Sequence, residues 1–131
     1  MEPFDFSLPL PHDPSLLREL RYDLASWLEV VGIPDEARDP IVLATHEAAA
    51  RAIEHGRSGS AVRVRGTRDE DKLLVVVTSD GAREQDSEDT DSATGLTLMA
   101  ALMSGIDVRV ESQRTTVRMR MDLSGSRLVP G

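Results

Sequence analysis

The sequence predicts an α/β protein built as a two-layer sandwich, in which helices cover one face of a mostly antiparallel, mixed sheet. Segments with the two-residue apolar period of strands flank segments with the period of helices, in the order β, α, α, β, β, α, β, β. The strands alternate apolar with charged residues, so only one face of the sheet is covered. The 131 residues suit a single domain, which we place at residues 1–123, with a disordered tail at 124–131.

The first strand and the first helix are each predicted from periodicity and boundary residues. Apolar residues alternate with polar ones over residues 4–10, and Pro9, which has no N–H, favours the edge of the sheet. Leucines then recur at spacings of three and four over residues 14–31, the pattern of an amphipathic helix. Asp13 is typical of a helix N-cap and Gly32 of a C-terminal cap, so both ends of this helix are marked.

A second helix and a β-hairpin follow. An Asp-Pro pair at 39–40 predicts the start of the helix, and Gly56 predicts its end. The apolar period then falls to two at 62–65, whereas 73–77 is apolar throughout, as in a central strand. The charged residues at 68–71 predict the turn between these two strands.

The second half of the chain is predicted as a polar loop, a short helix and two strands. The loop covers 80–91, the helix covers 96–103, and the strands cover 106–110 and 117–121. Aromatic residues make up only 3% of the chain, so we expect an aliphatic core. Methionines at core spacings should help to fill it, namely Met99, Met103, Met119 and Met121.

Composition and charge exclude several classes of function. The net charge of −8 opposes unselective binding to nucleic acid, and the 3% of aromatic residues offer few platforms for stacking bases. The chain has no cysteine, which excludes disulfides and fits a reducing cytoplasm. Residues 1–14 lack the features of a signal peptide, and no apolar run is long enough to cross a membrane. We therefore expect a cytoplasmic protein that binds neither nucleic acid nor a membrane.

The acidic residues are concentrated in one segment. Residues 80–91 contain six acids and one arginine, a net charge of −5 within twelve residues. Two interpretations stay open for this segment. It is a solvated, mobile loop, or it is a docking surface for a basic partner.

Four segments occur in an informative order: EAAARAIEHG at 47–56, a strand ending in Asp-Gly at 80–81, TGLTLMAALM at 94–103, and TTVRMRMDL at 115–123. Together they resemble the anti-sigma-factor serine kinases of the GHKL superfamily of histidine kinase-like ATPases. The likeness extends over about residues 4–123 in the order of elements, and it implies the Bergerat fold of those ATPases. It also implies an ATP-dependent kinase that phosphorylates a serine of an STAS-type anti-anti-sigma partner and otherwise sequesters a sigma factor.

The resemblance places the family's base and metal positions on the second helix. Glu47 matches the glutamate that takes the proton from the substrate serine. The Mg²⁺-binding asparagine is replaced by Arg51, whose guanidinium only donates hydrogen bonds and cannot coordinate a metal. Their spacing of four is also that of a simple ion pair. In a third interpretation, Arg51 binds a phosphate directly in place of the metal.

The adenine-binding position is also changed. The family's aspartate corresponds to Ser79, and the glycine two residues later is retained as Gly81. A hydroxyl can still accept one hydrogen bond, but it lacks the charge that strengthens the bond. Asp80 is not expected to replace the missing carboxylate, because neighbouring strand residues point to opposite faces.

Two further sequence motifs of the family are incomplete in this chain. At the third helix, Ala93 replaces the first glycine, while Thr94 and Gly95 remain, and amides at this predicted helix start would suit a phosphate. On the last strand, Arg114 replaces a glycine and Thr115 is retained. With these changes, four signature positions differ from the family's pattern, which predicts a degenerate ATP site.

The two histidines of the second helix do not predict a metal site. His46 and His55 are nine residues apart, which places them on opposite sides of the helix, so they cannot share an ion. His55 is expected to interact with the C-terminal end of the helix instead.

We therefore expect an anti-sigma-factor-like regulator of transcription that binds a sigma factor or an STAS-type anti-anti-sigma protein, with no cofactor. One alternative is an active serine kinase that uses ATP and Mg²⁺, and another is a relative with unrelated partners. A homodimer through the apolar edge at 4–10 stays open. Glu47 would be a vestigial base, and the remnant nucleotide pocket would contain Arg51, Ser79, Gly81, Thr94, Gly95 and Thr115.

Overall fold

Five strands and three α-helices make up the described part of the chain. The computed structural model describes residues 6–10, 13–55, 62–80, 90–111 and 114–123, and of residues 55 and 90–94 it describes the backbone alone. In chain order the elements are β1 (Phe6–Leu10), a 3₁₀ turn (Pro14–Leu16), α1 (Leu17–Val30), α2 (Asp35–His55), β2 (Val62–Asp69), β3 (Lys72–Asp80), α3 (Thr90–Leu102), β4 (Gly105–Glu111) and β5 (Arg114–Asp122).

The strands form one sheet in the order β1-β2-β3-β5-β4, with β3 at its centre. This order and the helices confirm the predicted two-layer α/β class and the central position of the apolar run. The hairpin between β2 and β3 is also confirmed, with Glu70 in its turn at a φ of +49°. Each described pair of neighbouring strands is antiparallel, so the parallel pairing that a mixed sheet implies is absent from the described strands.

One face of the sheet is buried beneath the helices. Along β2 and β3, buried residues alternate with less buried ones, as expected for strands with one covered face. The three inward leucines of α1 are fully buried, and α2 packs against α1, α3 and β3. The methionine prediction is confirmed, since Met99, Met103 and Met119 are buried and Met121 packs against the same core.

The opposite face of the sheet is highly charged, and none of the described helices covers it. Among the described residues, strand alternation places seven basic side chains on it: Arg63, Arg65, Lys72, Arg109, Arg114, Arg118 and Arg120. It also carries five acids: Asp69, Asp80, Asp107, Glu111 and Asp122. We call this surface the open face. Three of its ion pairs are Arg109–Asp107 at 3.1 Å, Arg114–Asp80 at 3.6 Å and Arg120–Asp122 at 3.0 Å.

The second helix begins earlier than the sequence predicts. It starts at Asp35 rather than at the Asp-Pro pair 39–40. The carbonyl of Pro34 accepts a hydrogen bond from the amide of Ala37 at 2.9 Å, which starts the first turn five residues upstream. Pro40 then lies in the second turn of the helix, where its missing N–H removes a single helical hydrogen bond.

The third helix is also longer than predicted. It begins at Thr90, six residues before the predicted helix at 96–103, because the polar start of this segment shows no apolar period. The predicted loop at 80–91 is therefore shortened at both ends, by β3 and by α3. Residues 81–89, which contain most of the acidic segment, lie outside the described residues, as does the predicted tail at 124–131.

The predicted C-terminal boundary of the first helix is confirmed. Its predicted N-cap, Asp13, instead caps the 3₁₀ turn Pro14–Leu16, and α1 begins at Leu17 without a side-chain cap. The carboxylate of Asp13 accepts hydrogen bonds from the backbone N–H of Ser15 at 3.0 Å and from its hydroxyl at 2.8 Å, and these bonds lower the pKa of Asp13. Gly32, at a φ of +80°, follows the C-terminal end of α1. This left-handed conformation is one that glycine adopts without steric cost.

Arg68 connects the C-terminal end of α1 to the β2–β3 hairpin by hydrogen bonds. Its Nη1 donates a hydrogen bond to the carbonyl of Val31, and its Nε and Nη2 donate to the carbonyl of Glu70 at 3.1 and 2.9 Å. A Cβ atom on Gly32 would lie 3.3 Å from this guanidinium, so the glycine also leaves room for the contact. One side chain thus joins the helix layer to the sheet.

The substitution Arg68→Met should lower the free energy of unfolding by about 1–3 kcal/mol, because two carbonyl groups lose a charged donor. Urea titration followed by the fluorescence of Trp27, the single tryptophan, measures this change. The matched control Arg65→Met, at an exposed position of the same strand, should change stability by less than about 0.5 kcal/mol. Equal losses in the two variants would contradict the role of Arg68.

Candidate functional site

Glu47 and Arg51, the predicted base and metal positions of α2, contact each other. Arg51 Nη1 lies 3.7 Å from Glu47 Oε2, and the two side chains are 15% and 27% exposed respectively. The ion pair expected from their spacing of four is therefore formed. Because both side chains are largely shielded from water, this pair lies within the packed part of the domain rather than in solvent.

Arg51 also packs against α3 at Gly95. Gly95 is buried, and a Cβ atom built on it would lie 2.8 Å from Arg51 Cδ and 2.9 Å from both Nε and Nη1. Only a residue without a side chain lets the arginine lie this close. The space between α2 and α3 is thus occupied at this point by the guanidinium group, and three of the predicted site residues meet there.

Ser79 and Thr115 lie side by side on the helix-covered face of the sheet. They are opposite each other in the register of β3 and β5, with Val62 and Val110 as their outer neighbours. Ser79 is 6% exposed. The Oγ1 atom of Thr115 is buried and has no hydrogen-bond partner among the described residues. These two hydroxyls form a polar spot at the end of an otherwise apolar face.

Asp80 points away from this spot. It is exposed on the open face, and its carboxylate lies 3.6 Å from Nε of Arg114. The opposite orientations of Ser79 and Asp80 that strand alternation predicts are therefore confirmed. Gly81, the retained glycine of the adenine-binding motif, lies outside the described residues.

Thr94 and Gly95 do not lie at a helix start, and the expectation of free amides there is wrong. They are the fifth and sixth residues of α3, which begins at Thr90. Only the first four amides of a helix lack an acceptor within the helix. At the positions of Thr94 and Gly95, helical hydrogen bonds already use the amides that the sequence suggested for a phosphate.

Thr45 is a polar core residue that sequence reasoning missed. It is fully buried on α2, and its Oγ1 has no hydrogen-bond partner among the described residues. Ile41, four residues earlier, and Ala48, three residues later, are buried on the same side of the helix. This spacing is the signal that could have found Thr45, since it places a hydroxyl in an otherwise apolar stripe.

The comparisons with known proteins agree with this fold. A family model described as histidine kinase-like ATPase domain matches residues 10–121. The chain belongs to this family. No curated protein sequence matches the chain.

This histidine kinase-like ATPase domain is similar in fold to parts of several longer solved chains. The RsbU and RsbW domains of Rv1364c from Mycobacterium tuberculosis match with a TM-score of 0.75 and 22% identity, over 91% of this chain and 32% of that one. The blue-light activated histidine kinase EL346 of Erythrobacter litoralis matches with a TM-score of 0.63 and 21% identity, over 74% and 34%. Its histidine kinase domain matches with a TM-score of 0.64 and 17% identity, over 91% and 64%. The domain thus spans about a third of the first two chains.

The described residues of the ATPase domain contain no group of three or more His, Cys, Asp or Glu residues that is arranged to hold a metal ion. None of their helices has the length and apolar character needed to cross a membrane.

The pKa of His46, next to Glu47 on α2, is lowered by its surroundings. Burial lowers its pKa below the ordinary value of 6.5, the positive charge of Arg21 lowers it further, and Glu47 opposes the shift. Nη1 of Arg21 lies 3.4 Å from Nδ1 of His46. The ring thus links the N-terminal half of α1 to the turn of α2 that carries Glu47.

The lowered pKa of His46 makes stability depend on pH. Below pH 6.5 the unfolded chain binds a proton at this histidine more readily than the folded domain does. Stability should therefore fall as the pH falls from about 6.5 through the lower, folded-state pKa. The variant His46→Gln should lose this part of the pH dependence, and Arg21→Gln should reduce it, in urea titrations between pH 7 and 5. Identical pH profiles for wild type and His46→Gln would contradict the assignment.

The unpartnered hydroxyl of Thr115 predicts a second stability effect. Thr115→Val keeps the shape of the side chain and removes a buried polar atom without a partner, so stability should stay equal or rise by about 1 kcal/mol. Thr116→Val, on the opposite face of the same strand, is the matched control and should change little. A loss of more than about 1 kcal/mol in Thr115→Val, absent from the control, would indicate a bound water or ligand at this hydroxyl.

Proposed function

We propose that this domain is an anti-sigma-factor-like regulator of transcription that acts by binding proteins, with lost or weak ATP binding. The proposed partner is a sigma factor, an STAS-type anti-anti-sigma protein, or both. The observation that carries the proposal is the place of Arg51, which pairs with Glu47 and packs against Gly95. In the resembled kinases this position belongs to a metal-binding asparagine.

The charge and the volume of Arg51 both oppose a magnesium triphosphate. A guanidinium has no lone pair to offer to Mg²⁺, and its positive charge repels the ion. It also occupies the space next to Gly95, a residue of the family's motif on the third helix. The ion pair engages the carboxylate of Glu47, the residue that would serve as general base.

The changed adenine position supports the same proposal. Ser79 presents a neutral hydroxyl where a carboxylate would accept from the adenine amino group, and charge-assisted hydrogen bonds are roughly twice as strong as neutral ones. The amides of Thr94 and Gly95 lie inside α3, where helical hydrogen bonds use them, so they are not available to bind a phosphate.

The active serine kinase remains the second candidate, and one observation favours it. Glu47 is retained at the position of the base, and 27% of its side chain is exposed, so a substrate hydroxyl has access to part of the carboxylate. In this candidate Arg51 contacts the phosphates directly, and ATP still binds.

Thermal unfolding with and without ATP and Mg²⁺ separates the two candidates. A competent site stabilises a domain by about 2.7 kcal/mol when the ligand is at 100 times its Kd, which raises Tm by several degrees. We expect no magnesium-dependent rise in Tm for the wild type at low-millimolar ATP. A clear rise would overturn the proposal of a lost site.

The double variant Arg51→Asn with Ser79→Asp should move the domain towards ATP binding, because it restores a metal ligand and an adenine acceptor. The measured quantity is the change in Tm on adding ATP and Mg²⁺ to each variant, which cancels any loss of stability from the buried carboxylate. The single variants are the controls and should gain less. If ATP and Mg²⁺ do not raise the Tm of the double variant, the loss of ATP binding would instead be due to the replaced glycines at Ala93 and Arg114.

Co-purification from the native cell, with and without ATP, tests the partner. Recovery of a sigma factor or an STAS-type protein supports the proposal, and we expect the same yield in both conditions because binding does not depend on ATP. Recovery of neither class would favour unrelated partners.

A further inference from the structure

Among the described strands, β4 lies at an edge of the sheet, and its outer side has no partner strand. It lies at the end of the sheet order and pairs with β5 alone. Val108 and Val110 are 42% and 53% exposed, although strand alternation places them on the helix-covered side of the sheet. An edge strand with exposed apolar side chains offers both backbone hydrogen bonds and apolar surface to another strand.

The two edges of the sheet differ in how well they are protected. The other edge, β1, is five residues long and contains Pro9, which has no N–H to donate. β4 is seven residues long and contains no proline. Proline and short length are devices that block strand addition, and β4 has neither of them.

We propose that β4 is the surface through which two copies of this chain pair, in antiparallel fashion, about a two-fold axis at Val108. This register places Asp107 opposite Arg109 of the second copy, and Arg109 opposite its Asp107. On the other side of the sheet, Ile106 lies opposite Val110 of the second copy, and the two Val108 residues meet. The strand is therefore complementary to itself in charge on one face and in apolar character on the other.

Other symmetric registers are less favourable. An axis at Asp107 sets two aspartates against each other, and an axis at Arg109 sets two arginines against each other, with Asp107 opposite Glu111. Like charges that lie directly opposite destabilise a strand pair. An axis at Ile106 or Val110 leaves only three residues of β4 paired, and an axis at Gly105 or Glu111 leaves one. The axis at Val108 alone pairs the full strand from Gly105 to Glu111 with opposite charges facing.

The charged pair needed for this contact is already available. Arg109 Nε lies 3.1 Å from Asp107 Oδ2 in the same chain, and both side chains are more than half exposed. Pairing with a second copy gives Asp107 and Arg109 one cross-strand neighbour of opposite charge each. Neither charge is buried by this contact. Because one strand contact is small compared with the 1,200 Å² or more of a stable interface, the dimer should be weak and should dissociate on dilution.

Charge reversal tests the register independently of the proposed function, because it requires neither ATP nor a protein partner. Sedimentation equilibrium of the wild type should show a mass that rises with concentration from 14.3 kDa towards about twice this value. Asp107→Arg alone and Arg109→Asp alone should each abolish the rise. The double variant Asp107→Arg with Arg109→Asp should restore it, and a mixture of the two single variants should form the mixed dimer.

A wild type that stays monomeric, or a dimer that both single variants retain, would overturn the proposal. Retention of the dimer would place the contact on another surface. Thermal unfolding of each variant as a monomer is the control for folding. These exposed residues should change stability by less than about 0.5 kcal/mol.

Cross-linking gives a second readout, because the chain has no cysteine of its own. In the proposed register, Val108→Cys brings two thiols opposite each other, and Cα atoms of cross-strand pairs are about 4.5–5.5 Å apart, within the span of a disulfide. Mild oxidation should convert this variant to a covalent dimer. Val30→Cys, at a valine that is 75% exposed on α1, is the matched control and should react several-fold more slowly. Equal rates would contradict an axis at Val108.

Discussion

The burial of one face of the central strand is the constraint on which the rest of the structure depends. Leu73, Val75 and Val77 are each at most 1% exposed, because β3 has a strand on either side and α2 above it. Alternation then forces Ser79 into the same covered row and Asp80 out of it. The chemistry of the candidate site is thus decided by the packing of the strand. A shift of one residue in register would exchange the two groups.

The sequence was informative wherever period and boundary residues agreed. The fold class, the central strand, the hairpin and the end of α1 at Gly32 all follow from local patterns. The starts of α2 and α3 did not, because an Asp-Pro pair can stand inside a helix and because six mainly polar residues show no period. Within the site, the pairing of Glu47 with Arg51 was predictable from their spacing. The contact of Arg51 with Gly95 was not, since it joins residues that are far apart in the chain.

Arg51 illustrates how a substitution at a ligand position changes shape as well as charge. An asparagine at this position would be shorter and would leave the backbone of α3 open at Gly95. The arginine covers that backbone and pairs with Glu47 at the same time. The helices α2 and α3 are in direct contact through this one side chain. The buried hydroxyls of Thr45 and Thr115, which have no partner among the described residues, are further polar groups in apolar surroundings.

The open face carries more basic than acidic side chains, whereas the chain as a whole has a negative net charge. Among the described residues this face holds seven basic and five acidic side chains, although the whole chain carries −8. On the helix side, the described residues of α1 and α2 include eight acidic and four basic side chains, so the described part of the domain has an electric dipole directed across its sheet. In the field of a charged macromolecule such a dipole turns before contact is made. A strongly acidic body would thus meet the arginines first, and a basic one would meet the helices.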